Sequence, residues 1–226
     1  MVRRTYSCAV ILILASVPVI AHAEPRFRVS SEFTQRMESV RTVVIVTPDI
    51  KAYELMRNDQ PVFQAAWTDT SKANVAAAIQ RALVKRGLTA RLLGDGADAA
   101  LEDAAPMYRA VLAAIFEATY INKFQAQKER FEYTLGNLGP LIGEDADAAV
   151  FVWGLGAASS GGRKAFQLLL GSGSFALDRL VIAVVARDGE VLWFDAIVSG
   201  AYDLREAESC GRFVDSAMNE LPEVKK

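Results

Sequence analysis

The chain has 226 residues, with 25 Lys and Arg against 27 Asp and Glu, a formal net charge of −2 and 52% hydrophobic residues. That length buries a core without disulfides, and the slight acidity gives no electrostatic footprint for nucleic acid. One histidine and two cysteines bound the side-chain chemistry tightly.

The amino terminus reads as an export signal over residues 1–23. Arg3 and Arg4 form a positive start, Cys8 to Ile20 an apolar run, and Ala21-His22-Ala23 an A-x-A cleavage site. The run is short for a bilayer span. Cleavage after Ala23 would remove His22 and Cys8 together and move the net charge from −2 to −4. Residues 24–226 would then hold no imidazole and the single thiol Cys210. This excludes His-based triads, Cys-His pairs, His-based zinc sites and an internal disulfide. The localisation implied is periplasmic or secreted. After the signal, no apolar stretch is long enough for a transmembrane helix.

Residues 24–41 are polar and mixed, and read as a loose lead-in to a single α/β domain over 42–226. Thr42 to Thr47 is a β-branched run stopped by Pro48, the pattern of a buried strand. Residues 50–69 carry aromatic side chains without a clear period. A helix capped at Thr70 or Ser71 runs to Arg86, with Val75, Ile79, Ala82 and Leu83 on one face and Gly87 as its stop. Leu88 to Leu93 forms a second strand, followed by an Asp/Gly/Ala loop. Pro106 opens a helix whose apolar stripe includes Tyr108, Leu112 and Ile115.

Ala148 to Trp153 is a third strand, apolar enough to be central. A Gly- and Ser-rich insert follows at 155–174. Leu180 to Arg187 and Glu190 to Ser199 pair through Asp188-Gly189, a combination that favours a two-residue hairpin turn. A last helix runs from about Leu204 to Leu221. The predicted fold class is α/β: a mixed β-sheet of about five strands with a carboxyl-terminal antiparallel hairpin, covered by helices.

Catalytic patterns fail in detail. Gly156 and Gly161 have phosphate-loop spacing, but Gly162 stands where the lysine belongs and Ala165 where the hydroxyl belongs. Ser160 and Lys164 are one residue too far apart for S-x-x-K. The acidic groups Asp95, Asp98, Glu102, Asp103 and Glu144, Asp145, Asp147 match no calcium loop and read as solvated loop and cap residues. Cys210 has Ala207 and Phe213 at helical spacing and reads as a buried, inert thiol. Trp193 and Phe194, adjacent on one strand, face opposite sides, one toward the core and the other toward a helix or a contact surface. No cofactor or metal is expected.

The order "TVVIVTPDI", "ALVKRGLTARLL", "GEDADAAVFVWG" and "LVIAVVARDGEVLWFDAIVSG", then an amphipathic helix, resembles the bacterial envelope module of CsgG-like proteins and of the amino-terminal domain of TolB-like proteins. The likeness spans most of Thr42 to Leu221, with Asp188-Gly189-Glu190-Val191-Leu192-Trp193 standing for the family's hairpin. It implies an exported, non-catalytic envelope protein, a protein-binding or assembly module in secretion or surface-structure biogenesis. The implied partners are envelope proteins or further copies of the chain. Two departures stand out: no cysteine suits lipid attachment, and the insert lacks the alternation of a pore-forming strand pair. The expected contact surface is the Gly-rich insert, with Ser160, Arg163, Lys164 and Phe166. An exported hydrolase using carboxylates or a Ser–Lys pair is the alternative, as is an oligomeric scaffold.

Overall fold

The computed structural model describes residues 27–56, 60–94, 98–124, 126, 130–159 and 176–221. The proposed cleavage residues Ala21 and Ala23, and the proposed contact residues Ser160, Arg163, Lys164 and Phe166, lie outside them.

The described residues form one mixed, eight-stranded sheet with helices on both faces, as the fold class required. In chain order the elements are β1 (Arg28–Val29), α1 (Phe33–Ser39), β2 (Thr42–Ile45), β3 (Asp49–Leu55), β4 (Pro61–Phe63), α2 (Ala65–Lys85), β5 (Thr89–Leu92), α3 (Asp98–Phe116), a π-helical turn (Glu117–Ile121), α4 (Gly139–Ile142), β6 (Ala148–Ser159), β7 (Ala176–Ala186), β8 (Val191–Ser199) and α5 (Ala207–Met218). The sheet order is β1-β8-β7-β6-β2-β5, with β3 also beside β6 and β4 beside β3.

Strand β6 organises the sheet. One edge pairs antiparallel with β7 from Ala148↔Ala186 to Ala158↔Ala176. Its other edge is shared by two parallel strands. β2 pairs Val43↔Ala148 to Ile45↔Val150, and β3 takes over from Asp49↔Trp153 to Leu55↔Ser159. Pro48 sits between the two, where its missing N–H would break a continuous ladder.

The expected sheet of about five strands is too small. β1 and α1 occupy the region read as a loose lead-in. Phe33 and Met37 of α1 are buried, and Arg36 holds the β7–β8 turn by bonding the Asp188 carboxylate at 2.7 Å. β3 and β4 occupy the stretch that showed no period, because β4 is an exposed edge of three residues. The sheet also absorbs residues 155–159, which had been assigned to the insert. Gly154 and Gly156 are strand residues: a Cβ on Gly154 would stand 2.8 Å from Leu180 Cδ2 and 2.9 Å from the Arg179 carbonyl. These glycines permit close packing of β6 on β7.

Helix boundaries also shift. α2 begins at Ala65, so Thr70 and Ser71 lie inside it; the Thr70 hydroxyl donates to the Ala66 carbonyl at 2.9 Å, and Ser71 is buried. Its end follows the sequence. Gly87 adopts φ +82°, its N–H bonds the Val84 carbonyl, and the Leu88 N–H reaches back to Leu83. This double bond closes the helix, and buried Leu83 and Leu88 give it an apolar lock. α3 starts at Asp98 with Pro106 inside it, at the loss of one helical bond. α5 starts at Ala207, because residues 203–206 form a turn.

The strands separate two cores. Leu180, Ile182, Val184 and Trp193 face α2 and α5, with Val75, Ile79, Leu83, Cys210 and Phe213. Val181, Ala183, Val185 and Phe194 face α3 and α4, with Tyr108, Leu112, Ile115 and Leu138. Trp193 and Phe194 do point to opposite sides, yet both are fully buried, so neither forms a contact surface.

The hairpin is also tighter in its partners than expected. Its loop is Arg187-Asp188-Gly189, with the Ala186 N–H bonded to the Glu190 carbonyl and the Gly189 N–H to Ala186. Gly189 alone adopts positive φ, at +98°, which replaces the expected two-residue turn by a three-residue one. Residues 131–138 clasp it: the Leu135 N–H bonds Gly189 O, the Leu138 N–H bonds Arg187 O, and the Val191 N–H bonds Tyr133 O, each at 2.8 Å.

Candidate functional site

At the end of the sheet remote from that hairpin, β6 leaves at Ser159 and β7 returns at Ala176. A polar cluster sits at this foot of the Gly-rich segment. Asp178 stands opposite Gly156 of β6 and Ser199 of β8. It shares sheet parity with Leu180, Ile182 and Val184, so its carboxyl enters the core under α2 and the 202–205 turn. Only 3% of Asp178 is exposed.

The turn is built from short-range bonds. The Arg205 guanidinium forks onto Asp203, with Nε to Oδ1 at 2.8 Å and Nη2 to Oδ2 at 2.5 Å. The same guanidinium lies 4.0 Å above the Trp67 ring of α2. The Asn74 side-chain amide donates to the carbonyls of Leu204 and Arg205 at 3.0 and 2.9 Å. The Ser209 hydroxyl accepts the Asp203 N–H at 3.0 Å, and Tyr202 stacks on Phe213 at 4.9 Å. The turn is thus fixed to both α2 and α5.

Beneath it lies a cavity of about 10 Å³, lined by Ser71, Gly156, Asp178, Asp203, Leu204 and Arg205 among others. Asp178 Oδ2 and Ser71 Oγ are buried without a protein partner. Burial pushes the Asp178 carboxyl up to about 8, with the Asp203 charge adding to the rise, while Arg205 and the Leu204 N–H oppose it. Asp203 keeps Arg205 firmly protonated through their hydrogen bond. The cluster therefore sets a buried carboxyl of raised pKa beside a second carboxyl group.

Two further concavities are less suited to chemistry. An apolar cavity of about 70 Å³ lies between the carboxyl end of β2, residues 151–153 of β6, and α3, with the Asp49–Arg109 ion pair, at 2.5 Å, among its lining residues. An open groove of about 480 Å³ lies between α1, Asn137 and the hairpin. Its charges serve structure: Asp147 accepts the Arg41 and Thr42 N–H groups, and Arg187 donates to the Gly143 and Ala146 carbonyls.

Of the sequence-derived acidic residues, Asp145 pairs with Arg91 at 2.9 Å and Glu144 is exposed, so they do not converge with Asp147 on one site. Cys210 is fully buried in α5, and burial raises its thiol to about 12, as an inert thiol requires. Asp178, Asp203, Arg205 and Trp67 were not singled out from the sequence, and Ser71 only as a possible helix cap. The signal for Asp178 was its parity: a carboxylate in register with Leu180, Ile182 and Val184 must be buried.

Exposed apolar side chains lie near the same end. Met56, Val62 and Phe63, at 41%, 43% and 52% exposure, flank the β3–β4 turn. Pro61 begins β4, where an absent N–H blunts the open edge. Among the described residues, no group of His, Cys, Asp and Glu could hold a metal ion, and no helix is long and apolar enough to cross a membrane. Compared with known proteins, the chain matches no family model, no curated protein and no solved structure.

Proposed function

We propose that this is an exported, non-catalytic envelope protein whose insert end engages a protein partner in cell-envelope, secretion or surface-structure assembly. The carrying observation is the concentration of exposed apolar side chains, Met56, Val62 and Phe63, beside strand ends that launch the Gly-rich segment. Aromatic side chains on such a rim are effective anchors for a protein contact. The CsgG-like and TolB-like order of elements, with the signal-like residues 1–23, supports the envelope setting. Ser160, Arg163, Lys164 and Phe166 remain the proposed contacts on the segment itself. A photo-crosslinker placed at position 163 or 166 in native cells should trap a discrete protein adduct. Failure to trap one across residues 159–170 overturns the assignment.

A hydrolase is favoured by one observation, the neutral-leaning Asp178 carboxyl beside the Asp203 carboxylate. A cavity of about 10 Å³ limits it to a water-sized occupant. Turnover of peptidoglycan, ester or glycoside substrates that disappears in Asp178→Asn or in Lys164→Ala would replace the first reading by this one.

A further inference from the structure

We infer that Asp178 is a proton-binding site that latches the 202–205 turn onto β7: its neutral carboxyl, joined to Ser71 through one internal water, holds the turn, and loss of the proton loosens it. Three observations meet here. Asp178 Oδ2 and Ser71 Oγ lack protein partners, and both residues line one cavity. The cavity, about 10 Å³, is close to the space of one water, and a buried water needs two or more polar partners of this kind. The Asp203 carboxyl lines the same cavity from the turn, so ionisation of Asp178 would set two negative charges against each other across it.

The charges around Asp178 leave the proton as the controlling element. From the turn come Asp203 and Arg205, and the Leu204 N–H also bonds the carboxyl. Arg205 is already committed to Asp203 by its two-pronged bond. From α5 comes the Cys210 thiol, held neutral by burial. The neighbours lining the cavity from α2 are Trp67 and Ser71, from β3 Ala52 and Tyr53, and from β6 Gly156, Ala157 and Ala158. None of them brings a positive charge. On β7 itself the neighbouring Arg179 is engaged with Trp153 and Phe116, at 4.5 and 5.5 Å. A proton taken up at Asp178 is then felt by the turn, by α2 through Trp67, and by the β6–β7 ends that lead to the Gly-rich segment.

The test follows the side-chain carboxyl carbons of aspartate by NMR from pH 5 to 9.5, together with amide exchange of residues 202–206. One carboxyl should titrate near pH 8 and be absent from Asp178→Asn. Above that midpoint the turn amides should exchange faster in the wild type than the hydroxide dependence explains, while Asp178→Asn keeps them protected at pH 9. Asp203→Asn, which leaves Asp178 in place, should lower the midpoint; this variant carries the test if Asp178→Asn fails to fold. An Asp178 carboxyl that titrates below pH 5 overturns the inference. So does turn protection at pH 9 that is equal in the wild type and Asp178→Asn, or a midpoint unmoved by Asp203→Asn.

Discussion

The two ends of β7 are built to different chemistries. From Leu180 to Ala186 every side chain is apolar and buried, alternating between two cores, and the strand finishes in a hairpin clasped by residues 131–138. Asp178 and Arg179, at the other end, put a carboxyl into one face and a guanidinium among aromatics on the other. Apolar packing and buried polar groups are thereby separated along one strand. The hairpin end gains from apolar burial, at roughly 25 cal/mol per Å². The insert end accepts buried polar atoms, which are costly unless they are partnered.

The largest expected effect is at the hairpin. A Cβ on Gly189 would lie 2.0 Å from the Gly136 carbonyl oxygen, and the residue holds φ +98°. Gly189→Ala should lose about 3 kcal/mol or more, or fail to fold, in urea denaturation. Phe194→Ala, which empties the centre of one core, should cost about 3–5 kcal/mol. A small loss from either variant would end the distinction between the two ends.

The insert end should reveal itself through pH. The unfolded chain releases the Asp178 proton in the ordinary carboxylate range, whereas the folded chain retains it up to about 8. Its contribution to stability is complete at low pH, declines as pH rises toward 8, and is constant above that. Unfolding free energy of the wild type should therefore fall between about pH 5 and 8, and Asp178→Asn should flatten that slope. An equal slope in both proteins would place the carboxyl in water. Arg205→Lys should cost about 1 kcal/mol through loss of the two-pronged bond and ring stacking, with a red shift of Trp67 fluorescence. Phe63→Ser, on the exposed rim, should change stability by no more than about 0.5 kcal/mol while abolishing partner capture.

What could be read from the sequence follows the same division. The apolar run Ala148 to Trp153 announced a central strand, and the run within Leu180 to Arg187 a strand, because burial on both faces leaves no alternation. Gly87 marked the end of α2, since positive φ there is a local requirement. The lead-in was illegible because α1 buries only Phe33 and Met37, and its main tie, Arg36 to Asp188, spans most of the chain. β4 was illegible because an exposed edge strand has no buried face to impose a period. The polar cluster was hardest to see. It joins Ser71, Asp178 and Asp203, residues remote in sequence that meet only through packing of α2 and the turn on β7.

The most direct test compares the two outer strands on the same side of β6, β4 and β5. Phe63 on β4 and Leu92 on β5 are almost equally exposed, at 52% and 51%, but only Phe63 lies on the insert end. A photo-crosslinker should be placed at each position in native cells. The account predicts a discrete protein adduct from position 63 and none from position 92. Adducts of equal yield from both positions, or an adduct from position 92 alone, would contradict it.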